Sequence, residues 1–260
     1  MSLAIHAEGL CKDFVVTHQA YGSLKGLLLS FLPRRREKVR ALDALDLSIE
    51  AGETVAVVGK NGAGKSTLLG IVARVYRPTS GRIAVSGRVA PLLELGAGFH
   101  PDLTGVENVF FNGVILGLTR REVAARLDEI VAFADLHEYI DAPIRTYSSG
   151  MLMRLGFAVA THVDADILLV DEVLAVGDLE FQAKCYAKIA EFQRQGKTIL
   201  FVSHDLDAVS KTAPRTLWLD SGRLRLDGPT SEVLSEYQAA TARDPSATPA
   251  RGWVSGKPPC

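Results

Sequence analysis

Short apolar runs alternate along this chain with longer stretches whose apolar residues return every three or four positions. A run near Ala4–Phe14, an alternating segment Leu45–Ile49 and the β-branched run Thr54–Val58 read as strands, the last of them buried. A helix is expected from Lys65, and Ile83–Val85 reads as a short strand between turn glycines Gly81 and Gly87. The middle third is helical in pattern. Thr104-Gly-Val-Glu107 and Thr119-Arg-Arg-Glu122 each have the form of a capping box. After the second, Val123, Leu127, Ile130, Val131 and Ala134 keep helical spacing, and a third helix is expected from Ser149 to about Thr161. Ile167–Val170 and Thr198–Val202 are again short apolar strands, separated by a helix around Phe181–Arg194. Ser231–Ala240 reads as a last helix, and no internal repeat is visible. This order predicts an α/β fold: a doubly wound core carrying a helical insertion at roughly residues 100–162. The tail 241–260 is rich in Pro, Ala, Ser and Gly, lacks periodicity and is expected to be flexible.

One segment interrupts the first two strands. Ser23 is placed to cap a short helix, about residues 23–32, in which Leu24, Leu27, Leu28, Phe31 and Leu32 form one apolar stripe. Pro33 ends it, and Arg34, Arg35 and Arg36 follow. Two readings stand: a surface helix covering a sheet edge, or a helix presented to a membrane-bound partner with the arginines near anionic lipid headgroups.

Composition narrows the classes. At 260 residues the chain has length for one large domain, and its net charge of −1 gives no reason to expect nucleic acid as a partner. Cys11, Cys185 and Cys260 are far apart and lack metal spacing, which suits a reducing compartment. His6, Glu8, Lys12 and Asp13 interrupt any signal-peptide core. No apolar stretch approaches the ~18–20 residues a bilayer span requires, so the chain is expected to be soluble by itself.

The chemistry is concentrated at a few places. Gly59-Lys60-Asn61-Gly62-Ala63-Gly64-Lys65-Ser66 fits the phosphate-loop pattern at all eight positions, with a strand before it and a helix opening through Ser66 and Thr67 after it. The glycines free the backbone so that successive N–H groups converge on phosphate oxygens. Lys65 is expected to reach the β- and γ-phosphates of ATP, and the Ser66 hydroxyl to ligate Mg²⁺. Asp171, closing the apolar strand Ile167–Val170, is the second candidate metal ligand, and Glu172 the candidate base that orients and deprotonates the attacking water. His204, after the strand ending at Val202, falls on the same rim and is expected to position that water and sense the γ-phosphate.

These motifs, with Tyr147-Ser-Ser-Gly-Met151 between them, stand in the order found in ATP-binding cassette (ABC) proteins, which the chain resembles over about residues 3–240. The family signature usually reads Leu-Ser-Gly-Gly-Gln; Ser148 and Gly150 match it, and Ser149 stands on the middle glycine. The resemblance implies a phosphate-loop core with an antiparallel β subdomain and an inserted α-helical subdomain, together spanning 1–240. It implies a homodimer in which Ser148, Ser149 and Gly150 of one copy face the γ-phosphate held by the other. Asp178 resembles the loop through which the two sites communicate, and Phe14 the aromatic that stacks on adenine, with Tyr21 as its rival.

A narrower likeness is carried by Leu92-Leu-Glu-Leu-Gly-Ala-Gly-Phe-His-Pro101, Tyr147-Ser-Ser-Gly-Met-Leu-Met-Arg154 and Asp171-Glu-Val-Leu-Ala-Val-Gly-Asp178. These resemble the ATPase subunits of bacterial exporters of O-antigen, capsular polysaccharide or teichoic acid. The likeness implies a peripheral protein at the cytoplasmic face of the inner membrane, docked to membrane permease subunits near Leu92–Leu103 and acting on the polysaccharide only indirectly. It also departs from ABC proteins at large: Glu94 or Leu95 stands where a metal-watching Gln is usual. An ABC exporter of lipid or drug shares the same motor motifs. A soluble ABC ATPase of translation or DNA repair generally shows two cassettes or a long coiled coil, and this chain has neither.

Overall fold

The computed structural model describes residues 2–17, 36–92, 98–171 and 178–242. Its elements follow the chain as β1 (Leu3–Thr17), β2 (Arg36–Glu50), β3 (Thr54–Val58), α1 (Lys65–Val72), β4 (Ser80–Val85) and β5 (Val89–Leu92). Three helices come next: α2 (Gly105–Ile115), α3 (Arg120–Ala134) and α4 (Ser149–Thr161). The order continues as β6 (Ile167–Asp171), α5 (Leu179–Arg194), β7 (Thr198–Val202), α6 (Leu206–Thr212), β8 (Arg215–Asp220), β9 (Arg223–Pro229) and α7 (Thr230–Ala242).

Two sheets result. Strands β2-β1-β4 pair antiparallel, and β5-β6-β7-β3-β8-β9 form the larger sheet, parallel except for the edge strand β9. Its inner strands are apolar along their middles because both faces are covered, as a parallel sheet requires. Val55, Val57, Leu169, Leu200 and Leu217 point into a core shared with α1 and the smaller sheet, where Ile5, Leu10, Leu42, Leu45 and Ile49 are fully buried. Their alternates Ala56, Val58, Leu168, Val170 and Phe201 face Phe157 of α4 and Phe181 and Phe192 of α5. A third cluster, including Val109, Val123, Ile130 and Leu155, joins α2, α3 and α4 to one another.

Both capping boxes form: the Thr104 and Thr119 hydroxyls accept from the backbone N–H of Glu107 and Glu122, whose carboxylates accept the N–H of Thr104 and Thr119. The third helix runs Ser149–Thr161 as expected, with Ser148 as its cap. Several boundaries differ from the sequence reading. Strand β2 begins at Arg36 rather than near Leu45, because its outer half pairs with β1 as far as Thr17. Gly81 lies inside β4 rather than in a turn, at φ 81°, where a Cβ would meet the Gly9 carbonyl oxygen at 2.2 Å. Strand β5 escaped the pattern because Pro91 interrupts it; an edge strand tolerates that missing donor. The β8–β9 hairpin was also missed, since β9 alternates Arg and Asp with Leu at the sheet edge. Its two-residue turn, Ser221-Gly222, has φ of 51° and 80°, as a primed hairpin turn needs. The helix 23–32, the rival aromatic Tyr21, Arg34 and Arg35, Glu94 and Leu95, Glu172 and the tail from 243 lie outside the described residues; Arg36 opens β2.

One histidine ties the helices to the core and carries a pH signature. His162 caps α4, shares a 2.6 Å hydrogen bond between Nδ1 and the Ala158 carbonyl, and meets the Phe133 ring edge-on. Burial pushes its imidazole below the ordinary 6.5, helped by Lys188 and Arg126 and opposed by Ala158 and Glu129. The folded chain therefore binds fewer protons than the unfolded one in that window, and stability falls as pH drops from 6.5 toward the depressed value. In His162→Gln the midpoint of urea unfolding is expected to vary less between pH 7 and pH 5.5 than in the parent chain, roughly the range in which free imidazole titrates.

Candidate nucleotide site

The loop between β3 and α1 is shaped by backbone rather than side chains. Gly64 caps α1 in the left-handed region at φ 103°, and a Cβ there would lie 2.5 Å from the Ala41 carbonyl oxygen and 2.8 Å from Leu42 Cδ2. At Gly59 a Cβ would lie 2.3 Å from the Leu219 carbonyl oxygen. The Gly222 N–H donates to the Ala63 carbonyl at 3.0 Å, and the Ala63 N–H to the Lys60 carbonyl at 3.1 Å. Gly62, at φ 80°, has open space around it. The loop is thus wedged between β2 and the β8–β9 turn.

Lys65 is buried within this wedge, its Nζ donating to the carbonyls of Gly59 at 2.8 Å and Lys60 at 3.1 Å. No side chain caps α1 and no acidic residue stands in its first turn. A helix start left open in this way, beside a buried ammonium, favours an anion. Lys60, Asn61 and Ser66 are exposed and Thr67 is half-buried. The loop therefore fits a nucleoside triphosphate's phosphates.

Strand register gathers the rest of the rim. Asp171 pairs with Val202, and Val202 with Val57, so all three lie level across parallel β6, β7 and β3. Gly59 follows Val57 by two residues and His204 follows Val202 by two, which brings phosphate loop, carboxylate and imidazole to the carboxyl ends of adjacent strands. His204 is exposed and Asp171 half-buried. The Ser66 hydroxyl and the Asp171 carboxylate are hard oxygen donors, a set that suits Mg²⁺.

Phe14 sits on β1 opposite Val39, half-buried, its ring meeting Tyr76 edge-on at 5.4 Å. Lys12 Nζ lies 5.0 Å from the Phe14 ring centroid and 5.7 Å from that of Tyr76. Tyr76 in turn packs over Gly70 of α1, where a Cβ would come within 2.6 Å of its ring. Tyr76 is the residue that sequence reasoning passed over, although a lone aromatic directly after the phosphate-loop helix was a usable signal.

The segment Ser148-Ser149-Gly150 lies elsewhere. Ser148 caps α4 by accepting the Met151 N–H at 3.2 Å; Ser148 and Ser149 are exposed, and a Cβ on Gly150 would approach only Ser148 Oγ, at 3.8 Å. Helix α4 packs on β5, three positions from β3 in the sheet. Asp178 caps α5 through the Phe181 N–H and pairs with Arg154. Both contacts, that N–H first, hold its carboxyl below the usual range.

A family model described as ABC transporter matches residues 42–175. The O-antigen export system ATP-binding protein RfbB of Klebsiella pneumoniae is 46% identical over 248 residues, covering 93% of this chain and 100% of that protein. Its namesake from Myxococcus xanthus is 52% identical over 225 residues, or 85% of this chain. The teichoic acids export ATP-binding protein TagH of Enterococcus faecalis is 38% identical over 91% of it. The chain spans about half the length of these last two, 52% and 53% respectively. Among solved structures, the dimeric post-hydrolysis state of the ATP-binding cassette MJ0796 bound to ADP and Pi superposes with a TM-score of 0.69 at 20% identity, covering 87% of this chain and 98% of that one. The chain belongs to the ABC transporter family, in the branch whose members are named for O-antigen and teichoic acid export.

Proposed function

We propose that this chain is the ATP-hydrolysing subunit of a bacterial exporter of cell-surface polysaccharide, with two copies bound to a membrane permease at the cytoplasmic face of the inner membrane. The observation that carries this reading is the end-to-end match to a Klebsiella protein named for O-antigen export. Among the described residues no helix is long and apolar enough to cross a membrane.

The site residues take roles that follow from their positions. When bound, ATP supplies the phosphoanhydride to be cleaved, and Mg²⁺ offsets charge that develops on its phosphates. The loop Gly59–Ser66 and Thr67 cradle the phosphates, with Lys65 turning from its own loop carbonyls toward the β- and γ-positions. Ser66 and Asp171 would hold the metal. Glu172 accepts the proton of the attacking water, and His204 orients that water. Phe14, beside Tyr76, offers a face to adenine. Ser148, Ser149 and Gly150 close the site of the opposite copy, since their exposed helix end lies away from the chain's own phosphate loop.

Helix α2 extends the expected docking stretch Leu92–Leu103 with an exposed apolar surface for the permease. Phe111, Val114 and Ile115 are 49%, 48% and 58% exposed at helical spacing, beside Gly98. Phe111→Asp is expected to leave ATP affinity near that of the parent while releasing the permease in a detergent pull-down, by roughly tenfold or more for an apolar anchor replaced by a charge.

Complementation tests the function itself. In the native host, loss of this chain is expected to strip the polymer from the cell surface and retain it inside, and Lys65→Ala is expected not to restore export. Normal surface polymer with Lys65→Ala as the sole copy would refute the reading.

A further inference from the structure

The start of α5 is held by one carboxylate facing two ways. Asp178 Oδ1 accepts the Phe181 N–H at 2.9 Å, and Oδ2 accepts from Arg154 Nη2 of α4. The Arg154 side chain, 21% exposed, reaches further: its Nη1 lies 3.6 Å from Asp135 Oδ2, and its guanidinium 5.2 Å from the Phe181 ring centroid. Asp135 is the left-handed cap that ends α3. Phe181 is buried against Phe133 and Phe157. One guanidinium therefore reaches the cap that ends α3 and the first turn of α5 from within α4, which opens at the cap Ser148 and at Ser149 and Gly150.

This placement matters because a helix terminus acts on an anion only over its first turn. Arg154 lies about 9 Å along the helix axis from Ser148, so a tilt of α4 about its buried end moves the exposed end most. A misplacement of about 1 Å at a reacting group can cost on the order of a hundredfold in rate. A planar fork is the side chain suited to holding two carboxylates and a ring at once; an ammonium is not.

We propose that Arg154 is a positioning residue that fastens the signature end of α4 to the Asp178 start of α5, so that both present to the partner subunit's nucleotide as one body. The inference rests on the shared-site reading above and names the device that aligns it.

Paired subunits of the full chain, purified through two different tags, test it. One subunit carries Lys65→Ala, so only the other subunit's phosphate loop turns over, using the signature of the Lys65→Ala subunit. Arg154→Ala placed on the Lys65→Ala subunit is expected to give a kcat roughly tenfold below that of the same substitution placed on the other subunit, about the loss of one charge-assisted contact. The KM for ATP should differ less, and Arg154→Lys should recover only part of the rate. Equal rates for the two placements would assign Arg154 to general stability and overturn the proposal. Should Arg154→Ala not fold, Arg154→Gln replaces it with the same asymmetry expected. Ser148→Arg moved between the same two positions is the control: if it too is indifferent to placement, the shared site itself has failed, and not only its alignment.

Discussion

Ser148→Arg subunits mixed with Lys65→Ala subunits are expected to hydrolyse ATP although neither does so alone. On the shared-site proposal, each substitution removes one half of a composite site. Lys65 is buried in its own phosphate loop, whereas Ser148 is exposed at the start of α4, which packs on β5 three strands away. A homodimer of either variant has no complete site, and its turnover is expected to fall ~10³-fold, the scale of groups supplied in trans to other nucleotide enzymes. A mixed pair sets the phosphate loop of the Ser148→Arg subunit against the intact signature of its neighbour. Random pairing makes half of the dimers mixed, each with one complete site, so about a quarter of the parent activity should return. Steady-state phosphate release over a titration of the two subunits reads this directly. A mixture no better than its components would mean that each copy works alone.

The second large effect is expected at Gly64, with Gly62 as its measure. Both have positive φ, 103° and 80°, but a Cβ at Gly64 would strike the Ala41 carbonyl oxygen at 2.5 Å, while one at Gly62 would meet nothing within 4 Å. Gly62→Ala therefore costs backbone strain alone, about 1 kcal/mol at the low end of such penalties. Gly64→Ala adds a collision with main chain that has nowhere to go, because Leu42 is fully buried beneath it. The loop must move, and the cradle moves with it. The dissociation constant for an ATP analogue, measured by calorimetry, is expected to rise at least ~tenfold more in Gly64→Ala than in Gly62→Ala, a gap of about 1.4 kcal/mol. Similar affinities in the two variants would show that the wedge against β2 does not shape the loop.

The elements that position the site were legible because their signals are local. A phosphate loop needs glycines within eight residues, and a capping box needs Thr and Glu three apart; both formed where the sequence placed them. Asp171 and His204 were legible through strand ends, since a buried apolar run leaves its next polar residue on the rim. What failed was non-local or masked by polar alternation. The outer half of β2 exists only because β1 lies beside it, and β9 hides its apolar side behind alternating charges. Helix α6 was missed for its brevity, although Asp205 caps it by accepting from Asp207 and Ala208. The contacts of Asp178 were invisible for a further reason. Its partner Arg154 lies on another helix, and no spacing rule relates the two.

The braces around the phosphate loop are nearly all main-chain atoms: the carbonyls of Ala41 and Leu219 and the N–H of Gly222. A template made of peptide groups is indifferent to the side chains it carries. Substitution at position 41 can drift so long as the strand holds its course, and at position 219 among residues that still fill the core, while the glycines facing them have no such latitude. Mutational tolerance around this pocket is therefore set by which residue must yield space and which merely lends its backbone.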